Sequence, residues 1–506
     1  MILESKLLFA GLTEISEKQA NQTVLLDANE RTLTYQQLML YIERAHGWLN
    51  SIGLKAGDSL IALLPNAIET TVLFLASLRG GFIYAPQPCT ATLSEVMRWK
   101  KRVCANFCLL ANPVSHSLQE QIQDLDWHVE TIHIGNSFNW PECLPIPAEK
   151  DGMLVMQSSG STGEPKAILL SANRLWASAK AFVQYHQAEK VAVRFWNYLP
   201  MSYLGGLFNL TIIPLAAGGS IFVDDTFNGK TFLNFWSTIE RYCINSIWLV
   251  PSVLRGLLTL SNRIGKDRSY PSLEHCFLGT APISLEEKKK FAEVFGIQPL
   301  ENYGLSETTF ISSEQMNYLD NRTQNSVGAI MPNVEIQLRS SAHSDEIGTT
   351  EIWVKTPYSM LGYLNENGVS DPILDDNGYM PTGDLGRMVN GQLLITGRKR
   401  DIIKKGGILI LLREIEQIVN TYPQVKEAAA VKIEHAFYGE SFNLFLCLEE
   451  SVHDEIKFQN ELSAWLHKQL VKDKWPEKII ICLDFPRTST GKIQKHLLDH
   501  GKTMHA

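Results

Sequence analysis

The sequence predicts a doubly wound α/β fold, with mainly parallel sheets and helices on both sides, followed by a small α+β domain at the C-terminal end. Three observations support this prediction. Apolar runs and helical segments alternate through the first two-thirds of the chain, which is the rhythm of β-α-β units. After residue 338 the strands become short and are separated by Gly and Asn turns, which is typical of a more antiparallel, barrel-like region. From residue 398 onward, a segment of about a hundred residues has its own helices and strands.

The first β-α-β unit has the clearest signals. Thr34 begins a helix with a capping-box pattern that includes Gln37, and Gly53 ends it. A strand over residues 59–64, a helix over 67–78 and a strand over 82–85 follow. The same rhythm returns over residues 209–225, 232–250 and 285–303.

The sequence after residue 338 predicts two smaller structural units, one of short strands and one of helices and strands. Short strands are expected over residues 351–356, 379–381, 387–389 and 392–396. Beyond them, helices are expected near residues 413–421 and 457–470, and strands near 427–433 and 444–448. We therefore predict an N-terminal domain over residues 1–397 and a C-terminal domain over residues 398–506.

The composition indicates a globular protein with small-molecule partners. The chain has 506 residues, of which 45% are apolar and 20% charged, so it can bury more than one core. Its net charge of −8 argues against broad capture of nucleic acid. Eight cysteines without metal-ligand spacing predict reduced thiols and a cytoplasmic protein. The N-terminus lacks the pattern of a signal peptide.

One segment has the hydropathy of a membrane span. Residues 195–223 carry no charge, but Pro and Gly residues interrupt them and predict a strand, a turn, a short helix and another strand. We therefore expect a buried core segment and no transmembrane helix.

A glycine-rich stretch over residues 157–166 reads Gln-Ser-Ser-Gly-Ser-Thr-Gly-Glu-Pro-Lys and follows an apolar run that predicts a buried strand. Gly160 and Gly163 allow backbone N–H groups to approach an anion closely, and Lys166 adds a positive charge. Hydroxyl donors come from Ser158, Ser159, Ser161 and Thr162. The stretch therefore predicts a phosphate-binding loop, although a surface turn or a flexible linker has a similar composition.

Five further stretches are separately unusual and occur in one order. They are Gly-Thr-Ala-Pro at 279–282, Glu-Asn-Tyr-Gly-Leu-Ser-Glu-Thr at 301–308, Thr-Gly-Asp at 382–384, a basic segment at 397–407 that ends in Gly-Gly, and Arg-Thr-Ser-Thr-Gly-Lys-Ile at 487–493. Taken singly, their aromatic and charged residues have ordinary explanations as core, turn or solvated side chains. Their joint order is hard to obtain by chance.

Together with the glycine-rich loop, these stretches resemble the adenylate-forming superfamily, which comprises acyl- and aryl-CoA synthetases, firefly luciferase and the adenylation domains of nonribosomal peptide synthetases. The resemblance implies that residues 159–166 hold the pyrophosphate end of ATP, that Tyr303 stacks on adenine, and that Glu307 binds Mg²⁺. The implied ATP-binding set is completed by Gly279, Thr280, Ala281, Pro282, Glu301, Asn302, Gly304, Ser306, Asp384 and Arg398, of which the last two bind the ribose hydroxyls.

The resemblance also implies a two-step reaction. A carboxylic acid and ATP give an acyl-adenylate and pyrophosphate, with Lys492 as the catalytic lysine near the α-phosphate. The mobile C-terminal domain then rotates about a hinge at Arg400, which withdraws Lys492 and brings the second catalytic lysine, Lys404, toward the site. The thiol of CoA or of a carrier-protein phosphopantetheine enters along a channel at Gly406 and Gly407 and takes the acyl group.

Several positions depart from the family's usual pattern. Thr280 stands where a second glycine is usual, Ser306 replaces a threonine, and Arg400 is bulkier than the usual hinge residue. Residues 408–412 lack the basic residue and the proline that commonly precede the Glu-Ile-Glu at 414–416, which weakens the expectation of the usual contacts with the CoA phosphates.

The predicted acid pocket is uncharged. Tyr203 stands where relatives often have a histidine, and Leu204, Gly205 and Phe208 follow it, so we expect a medium apolar or aromatic acid. No aspartate matches the amino-group anchor of amino-acid-activating domains. Two function classes stay open: an acid–thiol ligase acting on CoA or only on a carrier protein, and a nucleotide-binding regulatory module without turnover. The first is favoured by the joint presence of Lys166, Glu307, Asp384, Arg398 and Lys492.

Overall fold

Two large sheets, called sheet 1 and sheet 2, carry most of the predicted motifs. The structure is a computed structural model that describes residues 8–111, 114–123, 126–135, 140, 144–145, 150–158, 166–264, 270, 273–340, 350–406, 408–449, 454–487 and 493–498. Its helices are α1 (Leu8–Lys18), α2 (Tyr35–Ser51), α3 (Ile68–Arg79), α4 (Leu93–Val103), α5 (His116–Gln123), α6 (Ala172–His186), α7 (Ile213–Ala216), α8 (Gly229–Arg241), α9 (Pro251–Ile264), α10 (Leu285–Phe295), α11 (Leu412–Val419) and α12 (Glu455–Gln469).

The strands alternate with these helices in the first half of the chain and dominate the second. The first half has β1 (Thr23–Asp27), β2 (Thr32–Thr34), β3 (Ser59–Leu63), β4 (Ile83–Pro86), β5 (Phe107–Ala111), β6 (His128–Ile132), β7 (Met153–Ser158), β8 (Lys166–Ser171), β9 (Arg194–Asn197), β10 (Ser220–Val223) and β11 (Ser246–Leu249). The second has β12 (His275–Leu278), β13 (Leu300–Leu305), β14 (Thr309–Ser313), β15 (Ala329–Ile330), β16 (Glu335–Arg339), β17 (Thr350–Lys355), β18 (Gly362–Asn365), β19 (Gly368–Ser370), β20 (Met380–Val389), β21 (Gln392–Arg398), β22 (Ile402–Lys405), β23 (Ile408–Leu411), β24 (Val425–His435), β25 (Gly439–Leu448) and β26 (Ile479–Cys482).

Sheet 1 has the strand order β15-β14-β13-β12-β11-β9-β10-β1-β2, and the strands from β13 to β1 are parallel. Sheet 2 has the order β19-β18-β8-β7-β4-β3-β5-β6, and the strands from β7 to β6 are parallel. Antiparallel strands extend sheet 1 at both edges and sheet 2 at the edge formed by β8, β18 and β19. The predicted α/β class with mainly parallel sheets is confirmed.

The first β-α-β unit lies within one residue of its predicted bounds. Thr34 Oγ1 accepts a hydrogen bond from the Gln37 N–H at 3.2 Å, and Gln37 Oε1 accepts one from the Thr34 N–H at 2.9 Å. This reciprocal pair is the predicted capping box, which satisfies backbone donors that the first turn of a helix leaves unpaired.

The uncharged segment 195–223 lies in the core. It forms the end of β9, a π-helical stretch Gly205–Ile212 that continues into α7, and β10. The predicted order of strand, turn, short helix and strand is confirmed, with a π-helix as the unexpected element. Among the described helices, none combines the length and the apolarity that crossing a bilayer requires.

The region after residue 338 contains an antiparallel sheet, called sheet 3, with the order β16-β17-β20-β21. The two strands predicted over residues 379–381 and 387–389 are one strand, β20, with a bulge between Leu385 and Gly386. The prediction divided this strand because Thr-Gly-Asp resembles a turn. The strand continues because Thr382 Oγ1 donates to the Ile352 carbonyl at 2.7 Å and accepts from the Asp384 N–H at 3.0 Å.

The C-terminal part has its own sheet, called sheet 4, in the order β23-β22-β25-β24, with β26 parallel to β25. Helices α11 and α12 lie within the predicted ranges or one or two residues from them. A buried apolar cluster spans residues 403–470, whereas the largest cluster among the described residues spans residues 8–395. The domain boundary between residues 397 and 398 stays a prediction.

Candidate active site

Three of the predicted motifs lie at the carboxyl ends of parallel strands in sheet 1. The acid-pocket stretch follows β9, the Gly-Thr-Ala-Pro turn follows β12, and the Tyr303 motif forms the end of β13. Because parallel strands end at the same edge of a sheet, these motifs come together there, which is where ligands bind in open α/β sheets. The fold thus assembles one candidate site from segments spread over residues 199–308.

The groups predicted to bind adenine and ribose form one hydrogen-bonded cluster. Tyr303 Oη donates to Asp384 Oδ2 at 2.8 Å, and Arg398 Nε lies 2.9 Å from Asp384 Oδ1. Asp384 and Arg398 are directly opposed on β20 and β21, so the pairing of these strands fixes their separation. Burial is the main cause that raises the pKa of Tyr303 well above its usual value, and the charge of Asp384 adds to the effect. The phenol therefore stays protonated and can donate.

The hairpin that presents Tyr303 requires glycine at its next position. A Cβ on Gly304 would lie 2.0 Å from the Thr309 carbonyl oxygen, and the register of β13 and β14 shifts at this point. The close approach of the two backbones therefore explains the glycine of this motif.

Glu301, by contrast, is engaged within the protein. Its carboxylate lies 2.8 Å from Lys288 Nζ, which also lies 2.9 Å from Glu314 Oε1, and Arg322 lies 3.0 Å from Glu314 Oε2. Burial raises the pKa of Glu301, against the opposing effect of the Lys288 ammonium. The Glu301 backbone is also engaged, because its N–H donates to Glu314 Oε2 at 2.8 Å and its carbonyl accepts from the Glu314 N–H at 2.9 Å.

Asn302 is also held by internal partners. Its amide nitrogen donates to the carbonyls of Leu278 at 3.2 Å and Leu300 at 2.9 Å, and its Oδ1 accepts from Ser313 Oγ at 2.5 Å. Ser313 Oγ in turn lies 2.9 Å from His186 Nε2. The side chain therefore fixes the ends of β12 and β13 relative to each other.

Glu307, predicted to bind the metal, and Lys166, predicted to bind phosphate, both contact Tyr363. The Tyr363 phenol is hydrogen-bonded to the Glu307 carboxylate, and Lys166 Nζ lies 4.7 Å from the centre of the Tyr363 ring. Burial and then the charge of Glu307 raise the pKa of Tyr363 to about 12. Strand pairing supports this arrangement, because Tyr363 on β18 is opposite Ile168 on β8.

The remainder of the predicted phosphate loop joins β7 to β8, and Ser158 is paired with Lys166 at its two ends. The loop itself and two other predicted positions lie outside the described residues. These are Ser159, Gly160, Ser161, Thr162, Gly163, Gly407 and Lys492.

The Gly-Thr-Ala-Pro turn contains a strained residue. Thr280 has a φ of +78°, a left-handed conformation that is costly for a β-branched residue, and the sequence had already marked it as a departure from glycine. Its hydroxyl is buried and has no hydrogen-bond partner among the described residues. Ala281 and Pro282 continue the turn, and α10 begins just beyond it.

The predicted acid-pocket residues lie at the start of the π-helical stretch. Tyr203 and Leu204 are partly exposed, Gly205 begins the stretch, and Phe208 is buried. The ring of Phe208 lies 5.6 Å from that of Phe310, within a larger aromatic cluster. An aromatic wall of this kind suits an apolar or aromatic ligand.

The predicted hinge and thiol-channel residues lie on the surface of the C-terminal part. Arg400 is 53% exposed in a turn after β21, and Lys404 is exposed on β22 with its backbone N–H bonded to Glu440 at 2.7 Å. Lys405 instead points inward, where its ammonium lies 2.9 Å from Glu477. This alternation along β22 leaves the side chain of Lys404 available for a ligand.

Ser306 and Gly406 complete the predicted set. Ser306 is partly exposed in the turn between β13 and β14. The N–H of Gly406 donates to the Tyr438 carbonyl at 3.1 Å, which links the end of β22 to the turn between β24 and β25. Both positions stay predictions as ligand-binding residues.

Two residues beside the predicted site belong to no motif in the sequence. Tyr363 lies in a short apolar strand, and nothing in the sequence indicates that this strand pairs with β8. Arg413 lies on α11, where burial lowers its pKa while the charges of Glu301, Glu416 and Asp384 oppose the effect. It brings a positive charge from the C-terminal part toward the Asp384 carboxylate.

Mg²⁺ fits this donor set only as part of a complex with phosphate. Among the described residues, no three or more His, Cys, Asp or Glu side chains are arranged to hold a metal ion. Mg²⁺ is usually held by one or two carboxylates together with substrate phosphates. Glu307, close to the lysine that ends the predicted phosphate loop, supplies one such carboxylate.

Comparison with known proteins gave consistent matches. The family model described as AMP-binding enzyme matches residues 12–364, and the one described as AMP-binding enzyme C-terminal domain matches residues 414–492. The chain is 25% identical to the 4-coumarate–CoA ligase-like 2 protein of Arabidopsis thaliana, over 96% of this chain and 89% of that protein. It is also 25% identical to the medium-chain fatty-acid–CoA ligase of Escherichia coli strain K12, over 94% of this chain and 87% of that protein.

A solved structure shows the same fold. The crystal structure of ATP-bound MatB from Rhodopseudomonas palustris matches with a TM-score of 0.82 at 24% identity, covering 96% of this chain and 97% of that one.

Proposed function

Because this chain belongs to the AMP-binding enzyme family, we propose that it uses ATP to activate a carboxylic acid and transfers the acyl group to the thiol of CoA. Family membership confirms the resemblance found in the motifs, and with it an AMP-forming acid–thiol ligase. The observation that carries the proposal is the Tyr303–Asp384–Arg398 cluster, which the fold assembles next to the other ATP motifs.

The residues proposed to bind ATP match the chemistry of its adenine, its ribose and its phosphates. Tyr303 offers a flat ring for adenine, and the Asp384 carboxylate accepts hydrogen bonds from ribose hydroxyls while Arg398 and Tyr303 hold it in place. The loop that ends at Lys166 binds the pyrophosphate end, and Glu307 is the protein ligand of Mg²⁺. When bound, Mg²⁺ offsets the negative charge of the phosphates.

The first step joins two anions, so the chain must reduce their repulsion. A carboxylate oxygen of the acid attacks the α-phosphorus, the bond to the bridging oxygen of the β-phosphate breaks, and pyrophosphate leaves. Lys492 binds the negative charge that develops on the α-phosphate, and Lys166 binds the departing pyrophosphate. In the second step the thiol sulfur attacks the acyl carbon, the thiol gives up its proton, and AMP leaves.

CoA is the favoured acceptor because relatives across nearly the whole chain are named CoA ligases. The exposed Lys404 and the adjoining Gly406 form the thiol channel after the C-terminal domain rotates at Arg400. A carrier-protein phosphopantetheine is the alternative acceptor, supported by the absence of a basic residue in 408–412.

The acid is a medium apolar or aromatic one. Phe208 and Phe310 form an uncharged wall beside the predicted pocket, and Tyr203 and Leu204 lie at its start. The two curated relatives have names that refer to different acids although both are 25% identical to this chain, so neither name assigns the substrate.

The test is carboxylate-dependent ATP–pyrophosphate exchange across fatty, aryl and amino acids, followed by thioester formation with the best acid. We expect exchange with an apolar or aromatic acid and faster thioester formation with CoA than with free pantetheine. Equal rates with the two thiols would contradict a CoA-specific site. Nucleotide binding without exchange for any acid would favour the regulatory-module alternative.

A further inference from the structure

Two cysteines face each other on neighbouring strands of sheet 4. Cys447 on β25 is directly opposite Cys482 on β26, and the two strands are parallel. Both cysteines are free thiols. In the described strands, no other register pair joins two cysteines. The pair is therefore the one place in these strands where two thiols can react with each other.

The side chains of the two cysteines lie on the same face of sheet 4. Residues directly opposite each other on neighbouring strands point to the same side. Cys447, which is 3% exposed, and the partly buried Cys482 accordingly share one apolar cluster, whereas the preceding pair, Leu446 and Ile481, packs in another. Neighbouring strands lie about 4.7–4.9 Å apart, within the range of about 4.4–6.8 Å that a disulfide spans between Cα atoms. The two thiols are therefore placed to form a disulfide.

The cluster on the cysteine face also contains residues on both sides of Lys492. Phe485, just beyond β26, is buried in this cluster, and Ile493, which follows Lys492 in the sequence, packs against it. Arg487 and Ile493 are paired by an antiparallel bridge. A displacement of β26 is therefore transmitted to both ends of the segment that carries Lys492.

Arg487 attaches the start of this segment to the other neighbour of β25. Its guanidinium forms an ion pair with Glu427 on β24, and Glu427 is directly opposite Cys447. The Cβ atoms of a disulfide lie about 3.8 Å apart, which is closer than the strand spacing, so bond formation draws β26 toward β25. Because Arg487 stays bound to β24, this movement changes the position of the segment relative to the sheet.

We propose that Cys447 and Cys482 form a reversible disulfide by exchange with a small-molecule disulfide, and that this modification slows adenylate formation by displacing the segment of Lys492. The second part of the inference rests on the proposed function, in which Lys492 acts in the first step. The first part concerns the thiols alone.

The modification is a thiol–disulfide exchange in two steps. The sulfur of Cys482, the more exposed of the two, attacks one sulfur of the small disulfide, forms a mixed disulfide and releases the first small thiol. The sulfur of Cys447 then attacks the Cys482 sulfur and releases the second small thiol. Two electrons pass from the protein to the small disulfide, and the protons of the two cysteines are transferred to the released thiols.

The surroundings of the pair make this exchange slow. Burial raises the pKa of both thiols, and for Cys447 the charges of Asp484 and Glu427 add to the effect while Arg487 opposes it. Because the thiolate is the attacking species, we expect oxidation near pH 7 to take on the order of hours. A disulfide that forms slowly and is reduced again suits a protein predicted to be cytoplasmic.

The test maps the disulfide directly. The reduced protein is incubated with oxidised glutathione at about pH 8.5, where more of each thiol is ionised. Remaining thiols are then alkylated, and mass spectrometry of the proteolysed protein should find residues 447 and 482 joined by a bond that dithiothreitol removes. Cys447→Ala should instead accumulate a glutathione adduct on Cys482, because the second thiol is missing. Cys104→Ala, which removes an exposed cysteine at the end of α4, is the matched control and should form the disulfide.

ATP–pyrophosphate exchange tests the consequence for Lys492. Oxidation should slow exchange by about tenfold or more in the wild type and in Cys104→Ala, because misplacing a catalytic group by about 1 Å can cost up to about a hundredfold. Dithiothreitol should restore the rate. Cys482→Ala should keep its rate under the same treatment. Thioester formation from supplied acyl-adenylate and CoA should change less, because Lys492 acts only in the first step.

The outcomes separate this inference from the proposed function. Absence of the 447–482 disulfide in the folded protein would overturn the inference, as would a disulfide that leaves the exchange rate unchanged or an equal loss of exchange in Cys482→Ala. A loss of exchange that coincides with unfolding, measured by the melting transition, would also overturn it. Absence of exchange by the reduced wild type with every acid would instead overturn the proposed function, whereas disulfide mapping requires no activity.

Discussion

Tyr303 and Asp384, which are 81 residues apart, are joined by a hydrogen bond of 2.8 Å from the phenol to the carboxylate. The bond connects β13 of sheet 1 with β20 of sheet 3. It therefore fixes the ring that we propose stacks on adenine relative to the carboxylate that we propose binds ribose.

This bond predicts the effect of Tyr303→Phe. The phenylalanine keeps the stacking ring but removes the donor that orients Asp384, so we expect KM for ATP to rise about tenfold with a smaller change in kcat. The matched control is Tyr379→Phe, which removes a phenol–carboxylate bond of the same 2.8 Å length to Glu335. Steady-state kinetics of ATP–pyrophosphate exchange check both variants, and an equal effect in the two would contradict the assignment.

The two contacts of Tyr363 predict that different substitutions change the Mg²⁺ requirement and the KM for ATP separately. Tyr363→Phe loses the hydrogen bond to Glu307 but keeps the ring beneath Lys166, so the Mg²⁺ concentration for half-maximal exchange should rise about tenfold. Tyr363→Leu also loses the ring and should raise KM for ATP in addition. If both variants changed only the melting temperature, Tyr363 would have a structural role alone.

The strained backbone of Thr280 predicts that replacing this residue by glycine stabilises the protein. Thr280→Gly relieves a left-handed φ of +78° and removes a buried hydroxyl that has no partner among the described residues, so unfolding should cost about 1 kcal/mol more. Thr309 is the matched control, because it also has a left-handed φ of 58° but its hydroxyl lies 2.7 Å from Ser178 Oγ. Thr309→Gly should not stabilise the protein. Thermal or denaturant unfolding measures both, and a destabilised Thr280→Gly variant would refute the strain argument.

His186 predicts a dependence of stability on pH. Burial, and then the nearby His275, lower the pKa of His186 to about 3, below the usual value of about 6.5 in the unfolded chain. The unfolded state therefore binds more protons between these two values, and stability present above pH 6.5 is lost as the pH falls toward 3.

These two pKa values predict a loss of about 1 to 2 kcal/mol between pH 6.5 and 5 from this residue. His186→Gln retains a group that can hydrogen-bond Ser313 but does not titrate, so its unfolding free energy should change less over this range. Denaturant titrations at several pH values measure the difference, and parallel curves for the two proteins would exclude the effect.

The motifs of the site were predictable because their chemistry is local. Gly304 is explained by one close backbone contact, and the pairing of Asp384 with Arg398 follows from a hairpin between adjacent strands. The capping box at Thr34 was equally visible, because both of its partners lie within one turn. Such features need no knowledge of the distant parts of the chain.

The missed features depend on strand order and on side-chain direction. Tyr363 reaches Glu307 only because β18 pairs with β8, and an apolar strand does not indicate its neighbour. Glu301 stays a predicted ATP-binding residue, but its motif does not indicate that its side chain lies in a buried cluster with Lys288 on α10.

The central claim is that this chain forms an acyl-adenylate and that Lys492 provides the charge for that step. Its most direct test is carboxylate-dependent pyrophosphate release by the wild-type protein and by Lys492→Ala, with Lys457→Ala, a lysine 70% exposed on α12, as the matched control. The account predicts release by the wild type and the control and a reduction of a hundredfold or more, on the order of 3 kcal/mol, in Lys492→Ala. Full carboxylate-dependent release by Lys492→Ala would contradict it.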